Sequence, residues 1–365
     1  MQADFHASMK SAHKNVRVNC NVYAGCILYT IYRTVTSLQS LHFGGIFMEQ
    51  LAFSLNATIP IFLVMVIGYL LKQFHYVDEP FVKTLNKINF KITLPVLLFR
   101  DLSTADFYTV WDSKYVLFCF FTTLISILVI WFGASRAFKD RAQAGEFVQA
   151  AYRSSAAVLG IAFIQNIYGN SGMAPLMIIG TVPLYNVAAV LILTLTAPEN
   201  AAQKTDSRAA LLKSLKGILT NPIIIGIMLG VIASACKLQF PVIITKTVNN
   251  IAVLASPLAL LGLGAGFEGR KALKQIKPTV AAASIKLMIL PAIFLPLAIH
   301  FGFTTEKLVA LLVMLGSPTT PSCYIMAKNM GHDGTLTSST VVATTFLSSV
   351  TLTVYLFLLK SLGVI

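Results

Sequence analysis

Charge is what this sequence has least of. Asp and Glu number 14 among 365 residues and all charged residues together make up 12%, about half the share usual in soluble domains. So few charges cannot cover a water-facing surface, which excludes an ordinary soluble enzyme or binding module. The five cysteines, Cys20, Cys26, Cys119, Cys236 and Cys323, form no CxxC pair, and the six histidines no HExxH or close His–carboxylate cluster. Neither a metal site nor any other cofactor is expected, and the cysteines read as small buried hydrophobes. Lys and Arg are in excess, with net charge +14, yet they are scattered through short connections without a basic, aromatic-studded face. A nucleic-acid partner is therefore not expected.

Apolar residues are abundant, at 56%, and come in blocks of about 20, the length that crosses a hydrocarbon core. The blocks predict ten spans near 52–71, 82–102, 115–135, 148–168, 174–196, 217–236, 242–266, 279–301, 307–329 and 335–360. Basic residues gather after the odd-numbered spans: Lys72 and Lys83, then Arg136, Lys139 and Arg141, then Lys204 to Lys216, then Arg270 to Lys277. Cytoplasmic loops carry such an excess, so both ends of the ten-span unit are expected on the non-cytoplasmic side. Residues 1–47 are polar and basic, and Met48 opens a stretch running straight into the first span. They read as an extension, either a disordered or interfacial tail or a misassigned start.

One offset of 162 residues aligns distant segments. Pro60–Gly68 matches Pro222–Gly230, Pro95 matches Pro257, and Ser155, Gly169 and Gly172 meet Ser317, Gly331 and Gly334. Agreement at one offset across three span pairs predicts a duplication: a first repeat over 48–198, a cytoplasmic linker over 199–216 and a second repeat over 217–365. Five spans is an odd number, so the second repeat enters the membrane from the opposite side. The expected fold is an all-α polytopic membrane protein of ten helices in two inverted five-helix repeats, with sites near the midplane where broken helices meet.

The ninth span holds Gly316-Ser-Pro-Thr-Thr-Pro-Ser322. Pro318 and Pro321 each remove a backbone donor and crowd the preceding turn, and Gly316, Ser317, Thr319, Thr320 and Ser322 supply small, hydroxyl-bearing neighbours for an interrupted backbone. Its repeat mate carries Ser154, Ser155 and Gly160 but no proline. Two half-helix N-termini meeting there would favour an anion; the bland alternative is a pair of kinked helices packed through Ser and Thr. Asn56 and Asn186 are polar span residues suited either to substrate or to hydrogen bonding between helices. Asn221-Pro222 reads as the capped start of the sixth span. Lys286 is an interior basic group that either balances a bound anion or snorkels to the membrane surface. No carboxylate falls at mid-span, Glu268 and Asp101 lying at span ends, so neither a proton relay nor a carboxylate sodium site is expected.

Together with the repeat, Asn221-Pro222, PLALLGLGAGFEG at Pro257–Gly269 and SPTTPSCYIMAKNMG at Ser317–Gly331, the chain from Glu49 to Lys360 resembles the auxin efflux carrier family in its bacterial branch, whose members are often labelled malonate or malate permeases. The resemblance implies a fold similar to sodium/proton antiporters and bile-acid symporters. Spans 1, 2, 6 and 7 would form a scaffold, and the others a mobile transport domain whose fourth and ninth helices cross at broken points. It implies elevator-type movement of a small organic anion across a bacterial inner membrane, among membrane lipid, and allows a homodimer through the scaffold. The family marks its fourth span with an Asn and, seven residues on, a Pro; the matching positions here are Ser155 and Ala162, so neither an amide contact to substrate nor a sharp break follows from them.

Two other classes compete with a transporter. An intramembrane hydrolase would pair Ser317 with His300, but Ser317 between Gly316 and Pro318 is no nucleophile elbow. A non-transporting sensor usually carries a soluble signalling domain, and the connection between the repeats is of ordinary loop length.

Overall fold

A backbone in lipid must satisfy its hydrogen bonds internally, and this chain does so with helices. The computed structural model describes residues 48, 55, 58–104, 112–156, 164, 168, 173–198 and 219–365, and no strand occurs among them. The extension 1–47 and the linker 199–216 lie outside the described residues, as do Asn56, Gly160 and Ala162. Phe53–Ile365 forms one compact unit.

Five helical stretches are long and apolar enough to cross a membrane: α4 (Ser113–Ala137), α6 (Ala174–Thr196), α8 (Val242–Ala265), the stretch Ile276–His300, and α14 (Thr335–Ser361). Two shorter apolar helices, α1 (Thr58–Gln73) and α7 (Pro222–Ala235), join them. The remaining elements are α2 (Glu79–Ile88), α3 (Leu94–Ser103), α5 (Arg141–Tyr152), α9 (Gly269–Lys274), α10 (Ile276–Ser284), α11 (Leu290–His300), α12 (Thr305–Gly316) and α13 (Ser322–Asn329).

Local sequence explains most of the boundaries. Asn221 caps α7 as its sequence predicts, its Oδ1 accepting from the Ile223 N–H at 2.9 Å with Pro222 at the first helical position. Asp78 caps α2 in the same way through the Phe81 N–H at 2.8 Å. Between α2 and α3, and again between α10 and α11, the helix widens into a π turn, Asn89–Thr93 and Ile285–Ile289. Each π turn precedes a Leu-Pro pair, Leu94-Pro95 and Leu290-Pro291. A proline cannot donate to the carbonyl four residues back, and one wider turn absorbs that lost bond without breaking the helix. At the membrane surface Asp112 caps α4 and receives Lys307 Nζ at 2.5 Å. That hydrogen bond holds the Asp112 carboxyl below its ordinary range and ties the start of α4 to the start of α12.

Glycines let helices approach closely. A Cβ at Gly68 would run into the backbone of Leu261 on α8, and one at Gly230 would meet Phe99 Cα on α3 at 3.2 Å. The offset of 162 residues relates Gly68 to Gly230 and Phe99 to Leu261. The same helix–helix contact is thus made twice, with the two halves of the chain exchanging roles. Gly230→Val is expected to cost about 1–3 kcal/mol by overpacking and to lower the melting temperature. Gly133→Val should leave it unchanged, because a Cβ there meets nothing within 4 Å; equal melting temperatures for the two variants would contradict this account of the packing.

Candidate functional site

Both the expected fourth and ninth spans are interrupted. In the ninth, α12 stops at Gly316, Ser317 turns extended (φ −72°, ψ 158°), and α13 restarts at Ser322 after Pro321. In the fourth, α5 stops at Tyr152 and Arg153 is extended (φ −71°, ψ 136°), although no proline is near. Tertiary contacts explain this second break.

The two extended stretches cross and hydrogen-bond to each other, the Ser155 N–H donating to the Pro318 carbonyl at 2.9 Å. Each stretch also supplies a hydroxyl for the last turn of the other's helix. Thr319 Oγ1 donates to the Ala150 carbonyl at 2.7 Å, and Ser154 Oγ to the Val313 carbonyl at 3.3 Å. The Ser154 and Ser317 hydroxyls bond to one another between them. The Ala150 carbonyl lies in the last turn of α5, where carbonyls need such donors, all the more away from water; the Val313 carbonyl accepts from the Ser317 N–H at 3.0 Å as well. Thr344 of α14 accepts from the Thr319 N–H at 3.0 Å, and Gln149 donates to the Cys323 carbonyl at 3.1 Å.

A cavity of about 70 Å³ lies beside the crossing, walled by α3, α6, α7, α8 and the start of α13. At about 15 Å³ of such space per water, it accommodates several waters or a small solute. Its most consequential wall is Arg153, which is 3% exposed. The guanidinium donates to Asn186 Oδ1 at 2.7 Å, to Ser322 Oγ at 3.1 Å and to Met326 Sδ at 2.8 Å. Its Nε has no partner, and among the described residues no carboxylate lies within ion-pair distance. Asp101, on the α3 wall, is already paired with Arg100 at 2.6 Å.

Six of the residues singled out in the sequence line this cavity: Ser154, Ser155, Asn186, Thr320, Pro321 and Ser322. Ser317, Pro318 and Thr319 form the crossing itself, and Gly316 ends α12 against Pro291. Lys286 is not among the lining residues. Its Nζ, fully buried, donates to the Met314 carbonyl at 3.3 Å and to the Leu315 carbonyl. A cation there complements the negative end of α12, a use that neither the balancing nor the snorkelling reading foresaw. The Ser317 hydroxyl faces Ser154, and the His300 ring packs beside Phe301.

Sequence reasoning missed two buried ionic groups. Arg153 carried a readable signal, an arginine inside the expected span 148–168. Glu146 lay just outside that span, yet it is 3% exposed. Its carboxylate accepts from the Gly334 N–H at 2.8 Å, the Thr337 N–H at 3.1 Å and the Thr337 hydroxyl at 3.0 Å, capping α14 from another helix.

Residues 53–356 match the family described as "Membrane transport protein". The chain belongs to that family, the one of the auxin efflux carriers. Among its relatives in the family, a "Putative malonate transporter" of Rhizobium meliloti is 25% identical over 83% of this chain and 95% of its own. An "Uncharacterized transporter" of Methanothermobacter thermautotrophicus is 21% identical over 82% and 96%. The transporter YfdV of Escherichia coli K12 is 24% identical over 76% and 89%. The resemblance drawn from the SPTTP stretch and the span order therefore holds, and this auxin efflux carrier relative is a multi-pass membrane transport protein.

Proposed function

We propose that this family member is a secondary transporter carrying small organic anions across a bacterial inner membrane, with Arg153 holding the substrate carboxylate. The observation that carries this reading is a buried guanidinium lining a cavity at two crossed helix breaks, with no ion pair to a carboxylate among the described residues, Asp101 in the same lining being paired with Arg100. An unpaired buried charge costs several kcal/mol, and an anionic substrate offsets that cost when it arrives. Ser154, Ser155, Asn186 and the first turn of α13 at Thr320–Ser322 would complete the anion's coordination, with Ser317, Pro318 and Thr319 holding the crossing open. A carboxylate is the kind of cargo named for the Rhizobium relative.

The architecture proposed with it is ten helices in two inverted repeats, 48–198 and 217–365, joined by a cytoplasmic linker, both ends facing the non-cytoplasmic side. The exchanged glycine contacts support it, since they recur at the 162-residue offset with the halves swapped. The cavity is shared between the crossing and α3, α7 and α8, which fits a crossing that moves past a scaffold in an elevator-type cycle. That scaffold would also be the seat of any homodimer.

The test is substrate-driven current in proteoliposomes holding the full chain, offered malonate, malate, lactate and indole-3-acetate in turn. A saturable current is expected for at least one carboxylate. Ser317→Ala should weaken half-saturation by roughly 0.5–1.5 kcal/mol, as for the one neutral hydrogen bond that positions Ser154, and Pro318→Ala with Pro321→Ala should abolish the current in folded protein. Full affinity in the double-proline variant would sink the crossing as the site.

A further inference from the structure

A second cavity lies in a different part of the molecule, and nothing in the transport reading uses it. Helix α4 packs on α5 and α6, while the stretch from α10 to α11 packs on α5, α12 and α14. Between them, among the described residues, remains a groove of about 760 Å³, within the roughly 300–1,000 Å³ range of small-molecule sites. Its walls are nearly all apolar, with Val129, Ile130, Ile285, Ile289 and Phe294 among them, and Lys277 stands at one end beside Ala137 and Phe138.

We propose that this groove holds one acyl chain of an anionic phospholipid, its headgroup phosphate met by Lys277 and the basic residues around it. Length supports the acyl chain. The lining on α4 runs from Ile125 to Ala137, about 18 Å at the helical rise, slightly more than the roughly 15 Å depth of one leaflet. Charge supports the headgroup. The start of α5, just past the end of α4, meets the start of α10, where Gln143 Nε2 donates to Gln275 Oε1 at 2.5 Å. Arg136, Lys139 and Arg141 flank Gln143 in sequence and Lys274 and Lys277 flank Gln275, with Asp140 the one carboxylate between Arg136 and Gln143. Asp140 is occupied in capping α5 through the Ala142 N–H at 2.9 Å, and none of the five basic groups is in an ion pair among the described residues. The Arg136 guanidinium lies 3.3 Å over the exposed Phe132 ring, which places positive charge at headgroup height. An apolar slot with a cluster of unneutralised cations at its open end is complementary to a lipid with a net negative head. It is poorly matched to a zwitterionic one.

Gly133 provides the means of testing this. It lines the groove, and a Cβ built there meets nothing within 4 Å, so the side chain of Gly133→Phe starts into open groove space. The delipidated full chain is titrated with phosphatidylglycerol and phosphatidylcholine of identical acyl chains, and bound lipid is counted by native mass spectrometry. One phosphatidylglycerol per chain is expected to bind at least about 10-fold more tightly than phosphatidylcholine. Gly133→Phe should remove that bound lipid, and Lys277→Glu should lose most of the preference for the anionic head, both with an unchanged melting temperature. Equal binding of the two lipids by the unmodified protein would overturn the proposal, as would retention of the tight lipid in Gly133→Phe. If Gly133→Phe instead converts a dimer to a monomer without changing the bound lipid, the groove belongs to a second copy of the chain and the proposal fails.

Discussion

Arg153→Met is expected to leave the protein folded and near its original melting temperature while reducing carboxylate affinity about 30- to several thousand-fold. The two halves of that expectation have different causes. Exchanging a buried, uncompensated charge for an apolar side chain of similar length removes a desolvation cost, and such exchanges are often neutral or stabilising. Truncating one member of a desolvated charge pair in a complex costs about 2–5 kcal/mol of binding, which sets the range. Arg153→Lys should fall between the two, because an ammonium keeps the charge but loses the planar fork that reaches Asn186 and Ser322. Half-saturation of substrate-induced current and the substrate's shift in melting temperature are the measurements. Unchanged half-saturation in Arg153→Met would remove Arg153 from the site, whereas a collapsed melting temperature would assign it to the fold.

Glu146→Ala is expected to give the largest loss of stability of any single change described. The carboxylate is the acceptor for two backbone N–H groups and a hydroxyl at the start of α14, where the helix dipole also favours negative charge. Gly334, at φ 74°, aims its N–H at that carboxylate from a left-handed conformation suited to glycine. Deleting the side chain leaves three buried donors without an acceptor. With charge-assisted bonds at about 1.5–3 kcal/mol each and partial relaxation, a net loss of about 3–5 kcal/mol is expected, read as a fall of several degrees in melting temperature. Glu146→Gln keeps an acceptor oxygen and should lose less than half as much. Equal losses in the two variants would show that volume, not hydrogen bonding, matters at this position.

How much of this was legible depended on where each cause resides. The five long apolar stretches were written in composition, because a 20-residue apolar block leaves the backbone few choices in lipid. The break at Ser317 was written in Pro318 and Pro321, whose missing donors act locally. The break at Arg153 was not, since what holds it open is the Pro318 carbonyl and the Thr319 hydroxyl, more than 160 residues away in sequence. A local pattern without proline could only suggest a kink. Lys286 shows the complementary difficulty: a lysine inside a span was recognised as unusual, but its target, the carbonyls ending α12, exists only once that helix is interrupted. Arg153 stands next to small residues that carry the more obvious break signal, and Glu146, a carboxylate at the edge of an apolar block, looks like surface in the sequence.

The reciprocal caps at the crossing bear on how the chain is made. Thr319 comes 169 residues after the Ala150 carbonyl that it satisfies. At synthesis rates of about 5–20 residues per second, the first half therefore waits roughly 8–35 s in the bilayer with its interrupted helix unclosed. Over that interval it must either continue as an ordinary unbroken helix or shelter the gap against the insertion machinery. In either case the Ala150 carbonyl gains its Thr319 partner only once the second half arrives, so the break in the first half is completed late in biogenesis.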